Sequence, residues 1–122
     1  MELLRVAHGG LARMSLLYFL ALAFWGYWRF FRKQGVDSSY WGGLAIGEVI
    51  VVLQSLIGFA MFFYGSSPAR SIHILYGLLA PAAIPFVYFY TKGRDNRAEI
   101  LVYGIATLFA AAFVMRAMFT GA

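Results

Sequence analysis

Apolar residues fall in four long blocks along the chain, and a window of about 19 residues places them at about 8–31, 41–64, 72–91 and 100–119. As a helix, each block is long enough to cross ~30 Å of hydrocarbon at 1.5 Å per residue. The breaks between them are polar. Arg32-Lys33-Gln34-Gly35-Val36-Asp37-Ser38-Ser39 is a polar turn, Gly65-Ser66-Ser67-Pro68 a tight one, and Lys92-Gly93-Arg94-Asp95-Asn96-Arg97 a charged one. Connections this short force neighbouring helices to run antiparallel. The pattern predicts an all-α fold: a single integral membrane domain over 1–122, built as an up-down-up-down four-helix transmembrane bundle with no room for an extramembrane domain.

Composition agrees with lipid as the solvent. Of the 122 residues, 62% are hydrophobic and 12% charged, about half the charged share of a soluble domain, and the mean hydropathy is +0.75. So short a chain could not hide that apolar surface from water. The net charge of +5 raises nucleic acid as a partner, but the ten basic residues sit mostly at the ends of apolar blocks rather than along a polar helix, so no nucleic acid is expected. Cysteine is absent, which excludes disulfides, thiolate metal sites, iron–sulfur ligation and covalent c-type haem attachment. Leu16 to Leu20 followed by Ala21-Leu22-Ala23 imitates a cleavable signal, but the apolar run continues through Phe24-Trp25-Gly26-Tyr27-Trp28.

Direction follows from lysine and arginine near the block ends. Arg29, Arg32, Lys33, Lys92, Arg94 and Arg97 flank the first and third connections; Arg5, Arg13, Arg70 and Arg116 lie toward the other side. The bias predicts cytoplasmic first and third connections and both termini outside. Trp25, Trp28, Trp41, Tyr40 and Tyr90 gather near the expected cytoplasmic ends, where amphipathic rings favour the headgroup layer.

The chain has two histidines, His8 and His73, each near the start of a block. Blocks one and three run the same way, so both imidazoles fall at one membrane level. Two ligands of a b-type haem on different helices need that arrangement. Small residues flank both: Gly9, Gly10 and Ala12 beside His8, and Gly77 one turn after His73. Arg5, Arg13, Arg70 and Arg116 share the level and suit haem propionates. The plainer reading is that these are ordinary interfacial residues, with small residues serving close helix packing.

Three further features need partners. Glu48 sits about 10 Å into its block, where an ionisable group costs several kcal/mol unless paired or hydrated. Its alternatives are a proton or quinone-headgroup contact, an ion pair with Arg29, Lys33 or Arg97, or a neutral acid bonded to a neighbour. Gly43 and Gly47 form a small-residue face beside it. Gln54, with Gly58 one turn on, reaches a histidine, a cofactor edge or another helix. Pro81 and Pro85 bend the third block and free carbonyls that Ser or Thr, water or neighbours must satisfy.

Together His8-Gly9-Gly10-Leu11-Ala12-Arg13, Leu53-Gln54-Ser55-Leu56-Ile57-Gly58 and His73-Ile74-Leu75-Tyr76-Gly77 resemble the small bacterial four-helix membrane proteins called cytochrome b-like. The resemblance covers the whole chain in topology. It departs at Met14 and Val52, where an aromatic and a further histidine are common in that family. It implies a haem-b electron-transfer component of a respiratory or photosynthetic membrane, acting with other membrane subunits and a quinone. On that reading His8 and His73 are the metal ligands, and Arg13, Arg70, Gly77 and Gln54 complete the cofactor site. The alternative is a non-catalytic accessory subunit of a larger membrane complex with no cofactor of its own. A transporter is less well matched, with one intramembrane carboxylate and no internal repeat. No nucleophile constellation points to an independent enzyme.

Overall fold

A computed structural model of the chain describes residues 2–65, 68 and 70–121; Ser66 and Ser67 of the second connection lie outside them. Four helices account for nearly all of it: α1 (Glu2–Phe31), α2 (Ser38–Phe63), α3 (Ile72–Thr91) and α4 (Arg97–Gly121). All four are long and apolar enough to cross a membrane. The fold is the expected all-α four-helix bundle, and its exposed large residues, among them Leu17, Phe24, Ile46, Leu56, Phe59, Leu78 and Phe86, are apolar. The chain is an integral membrane protein whose outer faces contact lipid.

α1, α2 and α4 start earlier than their apolar blocks, whereas α3 starts where its block does. An ion pair between Glu2 and Arg5, 3.3 Å apart and three residues apart, lies in the first turns of α1. Asp37 caps α2 by accepting from the Tyr40 N–H at 2.8 Å. Lys33 and Lys92, both at positive φ, follow the ends of α1 and α3 in the left-handed conformation that stops a helix.

Around the bundle α1 packs most extensively on α4, then α3 on α4, then α1 on α2, and α2 touches α3 least. No seam joins α1 to α3 or α2 to α4, so those pairs lie across the diagonals. Lipid tails are as apolar as leucine, so close packing and interhelical hydrogen bonds hold such a bundle together. The α1–α4 crossing shows the first. A Cβ on Gly26 would stand 3.1 Å from the Gly104 Cα and 2.8 Å from the Tyr40 hydroxyl. On α2, Gly43 and Gly47 receive Leu22, Tyr18 and Phe19, as the small-residue face predicts.

Prolines in α3 produce the second. Pro81 has no N–H, so the Gly77 carbonyl loses its helical donor; the Ser55 hydroxyl replaces it at 2.8 Å, joining α2 to α3. Tyr40 corrects the interfacial reading of the aromatics. It is fully buried, its ring packs edge-on to Trp25, and its hydroxyl donates to the Leu22 carbonyl at 3.1 Å. The Asp37 cap turns the first residues of α2 inward, so this tyrosine fills the core.

Candidate functional site

The short polar connections bring the start of α3 level with the first part of α1, and the diagonal arrangement turns both toward the bundle axis. His8, inside α1, meets His73, in the first turn of α3. Their ring centres are 6.1 Å apart with the planes at 73°. His73 Nδ1 lies 2.7 Å from the Ala117 carbonyl on α4. A carbonyl only accepts, so Nδ1 carries the proton and Nε2 is left with a free lone pair. Thr120 braces the same end of α4, its hydroxyl donating to the Arg116 carbonyl at 3.0 Å and standing 3.4 Å from His73 Nδ1. The Arg70 N–H donates to the Thr120 carbonyl at 3.0 Å, tying the entry of α3 to α4.

His8 is held from α2. Its Cε1 edge sits against Gly58, where a Cβ would come within 2.9 Å of it, and the Gln54 backbone lies beside the ring. Four buried side-chain atoms lack a hydrogen-bond partner among the described residues: His8 Nδ1, Ser15 Oγ, Glu48 Oε1 and Gln54 Oε1. Gly58 meets His8 and Gly47 meets Phe19, so Gln54 is level with Ala12, one turn below His8. His8 Nδ1 and Gln54 Oε1 are thus a potential donor and an acceptor, one helical turn apart in level and both unmet.

Two imidazoles that share one metal ion, each bonded at about 2 Å, place their ring centres roughly 6 Å apart. The observed separation fits. A bare ion would be left mostly uncoordinated, because the described residues contain no group of three or more His, Cys, Asp or Glu able to hold one. A macrocycle with four nitrogens of its own asks for two axial imidazoles and space. A Cβ on Gly9 or Gly77 would meet nothing within 4 Å, so neither glycine is packed against another helix, and Gly10, likewise open, lies on the exposed outer face.

The remaining sequence candidates are placed as follows. Arg13 and Arg70 are exposed at the histidine end, and among the described residues neither side chain is engaged in an ion pair or hydrogen bond. Arg116 lies over the Tyr76 ring at 5.9 Å, and Arg5 is taken by Glu2. The ion pair considered for Glu48 is not formed: Arg29 binds Asp37 at 3.2 Å and the Gly35 carbonyl at 2.8 Å, and Arg97 binds the Phe30 carbonyl at 2.8 Å. These arginines spend their donors on the connections. Ala117, Thr120 and Ser15 are additions. A backbone acceptor such as Ala117 leaves no mark in residue type, whereas a lone serine in an apolar block is a visible signal.

Two grooves, of about 380 Å³ between α3 and α4 around Ala82, Phe86 and Ile105, and about 230 Å³ beside Phe24, Tyr27 and Leu108, are apolar and away from the histidines. No family model matches the chain, and no curated protein and no solved structure matches it. The functional reading therefore rests on the geometry.

Proposed function

We propose that the chain is a small membrane electron carrier that holds a b-type haem between His8 and His73, as its resemblance to the small bacterial four-helix cytochrome b-like proteins implies. The observation that carries this is the convergence of the chain's two imidazoles, 6.1 Å apart, across the diagonal of a membrane bundle. The haem would supply one-electron transfer. His73 presents Nε2 because Ala117 fixes its tautomer. His8 presents its own Nε2 once its Nδ1–H is accepted by Gln54 Oε1. Gly77 leaves room, and Arg13 and Arg70 lie at the right end to pair with propionates. The surrounding apolar helices keep water out.

On this reading the protein works in a bacterial inner membrane with both termini outside, passing electrons to a quinone or a neighbouring subunit. The test is a reduced-minus-oxidised visible spectrum of purified protein supplied with haem. Sharp bands from a six-coordinate low-spin haem are expected, and they should vanish in His8→Ala and in His73→Ala, since either loss opens an axial position. A protein that stays colourless when supplied with haem defeats the carrier and favours the accessory-subunit role.

A further inference from the structure

Glu48 lies ten residues into α2, about 15 Å by helical rise, and is not used by the histidine site. Its direction follows from its neighbours. Trp41, Glu48 and Ser55 are spaced by seven, which puts them on one face of the helix. Trp41 packs edge-on to Tyr88 of α3 at 5.8 Å and to Tyr103 of α4 at 5.4 Å, and Ser55 donates to the Gly77 carbonyl of α3 at 2.8 Å. The face they share turns into the bundle on the α3 side. Glu48, midway between them, therefore faces α3 as well, at a level between Gly77 and Tyr88.

That level contains a second unmet group. Pro85 has no N–H, so the Pro81 carbonyl lacks its helical donor, as the Gly77 carbonyl does four residues earlier. Ser55 repairs Gly77; among the described residues no side chain donates to Pro81. Glu48 Oε1 is likewise buried without a partner. Two acceptors without a donor thus lie at one level on the two sides of the least packed seam of the bundle. Leaving both bare in hydrocarbon costs several kcal/mol.

We propose that the α2–α3 seam is a proton-binding site, in which Glu48 carries a proton on its carboxyl and donates it to the Pro81 carbonyl. One proton satisfies both groups without a counter-ion, and a break made by a proline becomes the partner of an intramembrane acid. The site is independent of the haem reading. It gives the bundle a carboxyl that can hold a proton deep in the bilayer at a place where the helices part most easily.

Infrared spectroscopy of the full chain with ¹³C-labelled glutamate, in vesicles of neutral phospholipid, tests this. The wild type should show the carbonyl stretch of a hydrogen-bonded neutral carboxylic acid, and Glu48→Gln should lose it. Pro85→Ala returns a helical N–H to the Pro81 carbonyl, so the band should move to the frequency of a free acid or disappear. Pro81→Ala, which acts at Gly77 instead, should leave it in place. Circular dichroism checks that helix content is kept, and Pro85→Ala removes a helix breaker, so folding is not at risk. A Glu48 seen only as carboxylate, with or without added sodium, would overturn the proposal. So would a band that Pro85→Ala does not move.

Discussion

The two ends of the bundle are built differently. At the end that holds the first and third connections, polar groups are paired: Tyr40 with the Leu22 carbonyl, Arg29 with Asp37, Thr91 with the Val87 carbonyl, and Thr107 with the Tyr103 carbonyl. The connections are joined there as well, through the Val36 N–H to the Asp95 carbonyl at 2.9 Å. Toward the histidine end, His8, Ser15 and Gln54 keep unmet atoms, beside bonds that are made from His73 to the Ala117 carbonyl and from Thr120 to the Arg116 carbonyl. Buried polar groups without partners are few in native proteins and mark water, ligand or strain. One end is closed by its own chain; the other keeps buried polar atoms that its own chain does not meet.

Matched glycine substitutions should separate the two ends most strongly. At Gly26 a side chain meets backbone of α4 and the Tyr40 hydroxyl, so Gly26→Leu should destabilise by about 1–3 kcal/mol or more and lower the thermal midpoint in detergent. Gly77→Leu enters open space and should change stability by no more than about 0.5 kcal/mol. On the haem reading it should nevertheless reduce the low-spin signal of protein supplied with haem, because the side chain would compete with the macrocycle for space. Equal losses of stability at both positions would erase the contrast.

Hydroxyl deletions give the next, smaller test. Tyr40→Phe removes a made bond and should cost about 0.6–1 kcal/mol. Ser15→Ala removes an oxygen that is fully buried and unpaired, so the cofactor-free protein should be unchanged or slightly more stable. Both are read from unfolding midpoints at matched detergent concentration. A Ser15→Ala loss as large as that of Tyr40→Phe would show that the hydroxyl is satisfied, by water, and that this end is less open than its geometry suggests.

The helices and the level of the histidines were legible from residue order; the difference in polar pairing between the two ends was not. Four apolar blocks fixed the helices, and their antiparallel succession put His8 and His73 at one level before any coordinate was known. The start of α3 was legible at Ile72, but those of α1 and α2 were not, because Glu2, Arg5 and Ser38 lengthen these helices with polar turns that a hydropathy window passes over. Of the alternatives for Glu48, the ion pair with Arg29, Lys33 or Arg97 follows from level alone, and it is not formed because Arg29 closes on Asp37 and Arg97 on the Phe30 carbonyl. A neutral acid bonded to a neighbour is the alternative that helical phase favours, through the spacing of Trp41, Glu48 and Ser55. The Ala117 carbonyl that orients His73 could not be read at all, since every residue carries one.

Gln54→Leu is expected to have the smallest energetic effect and bears most directly on what completes the histidine end. The side chains are similar in volume, and the amide oxygen removed has no partner, so stability should move by no more than about 0.5 kcal/mol. Its effect should fall on His8. If Gln54 Oε1 accepts from His8 Nδ1, the cofactor-free wild type holds the Nδ1–H tautomer at His8, as Ala117 makes His73 do. Removing the amide leaves the proton free to choose either nitrogen, so the ¹⁵N resonances of the His8 ring should shift toward a mixture of tautomers while those of His73 stay fixed. Because this readout needs no haem, it separates the positioning of His8 from the identity of the ligand. Unchanged His8 resonances would mean that Gly58 and the Gln54 backbone orient the ring by shape alone, and that the unmet amide oxygen awaits a different donor.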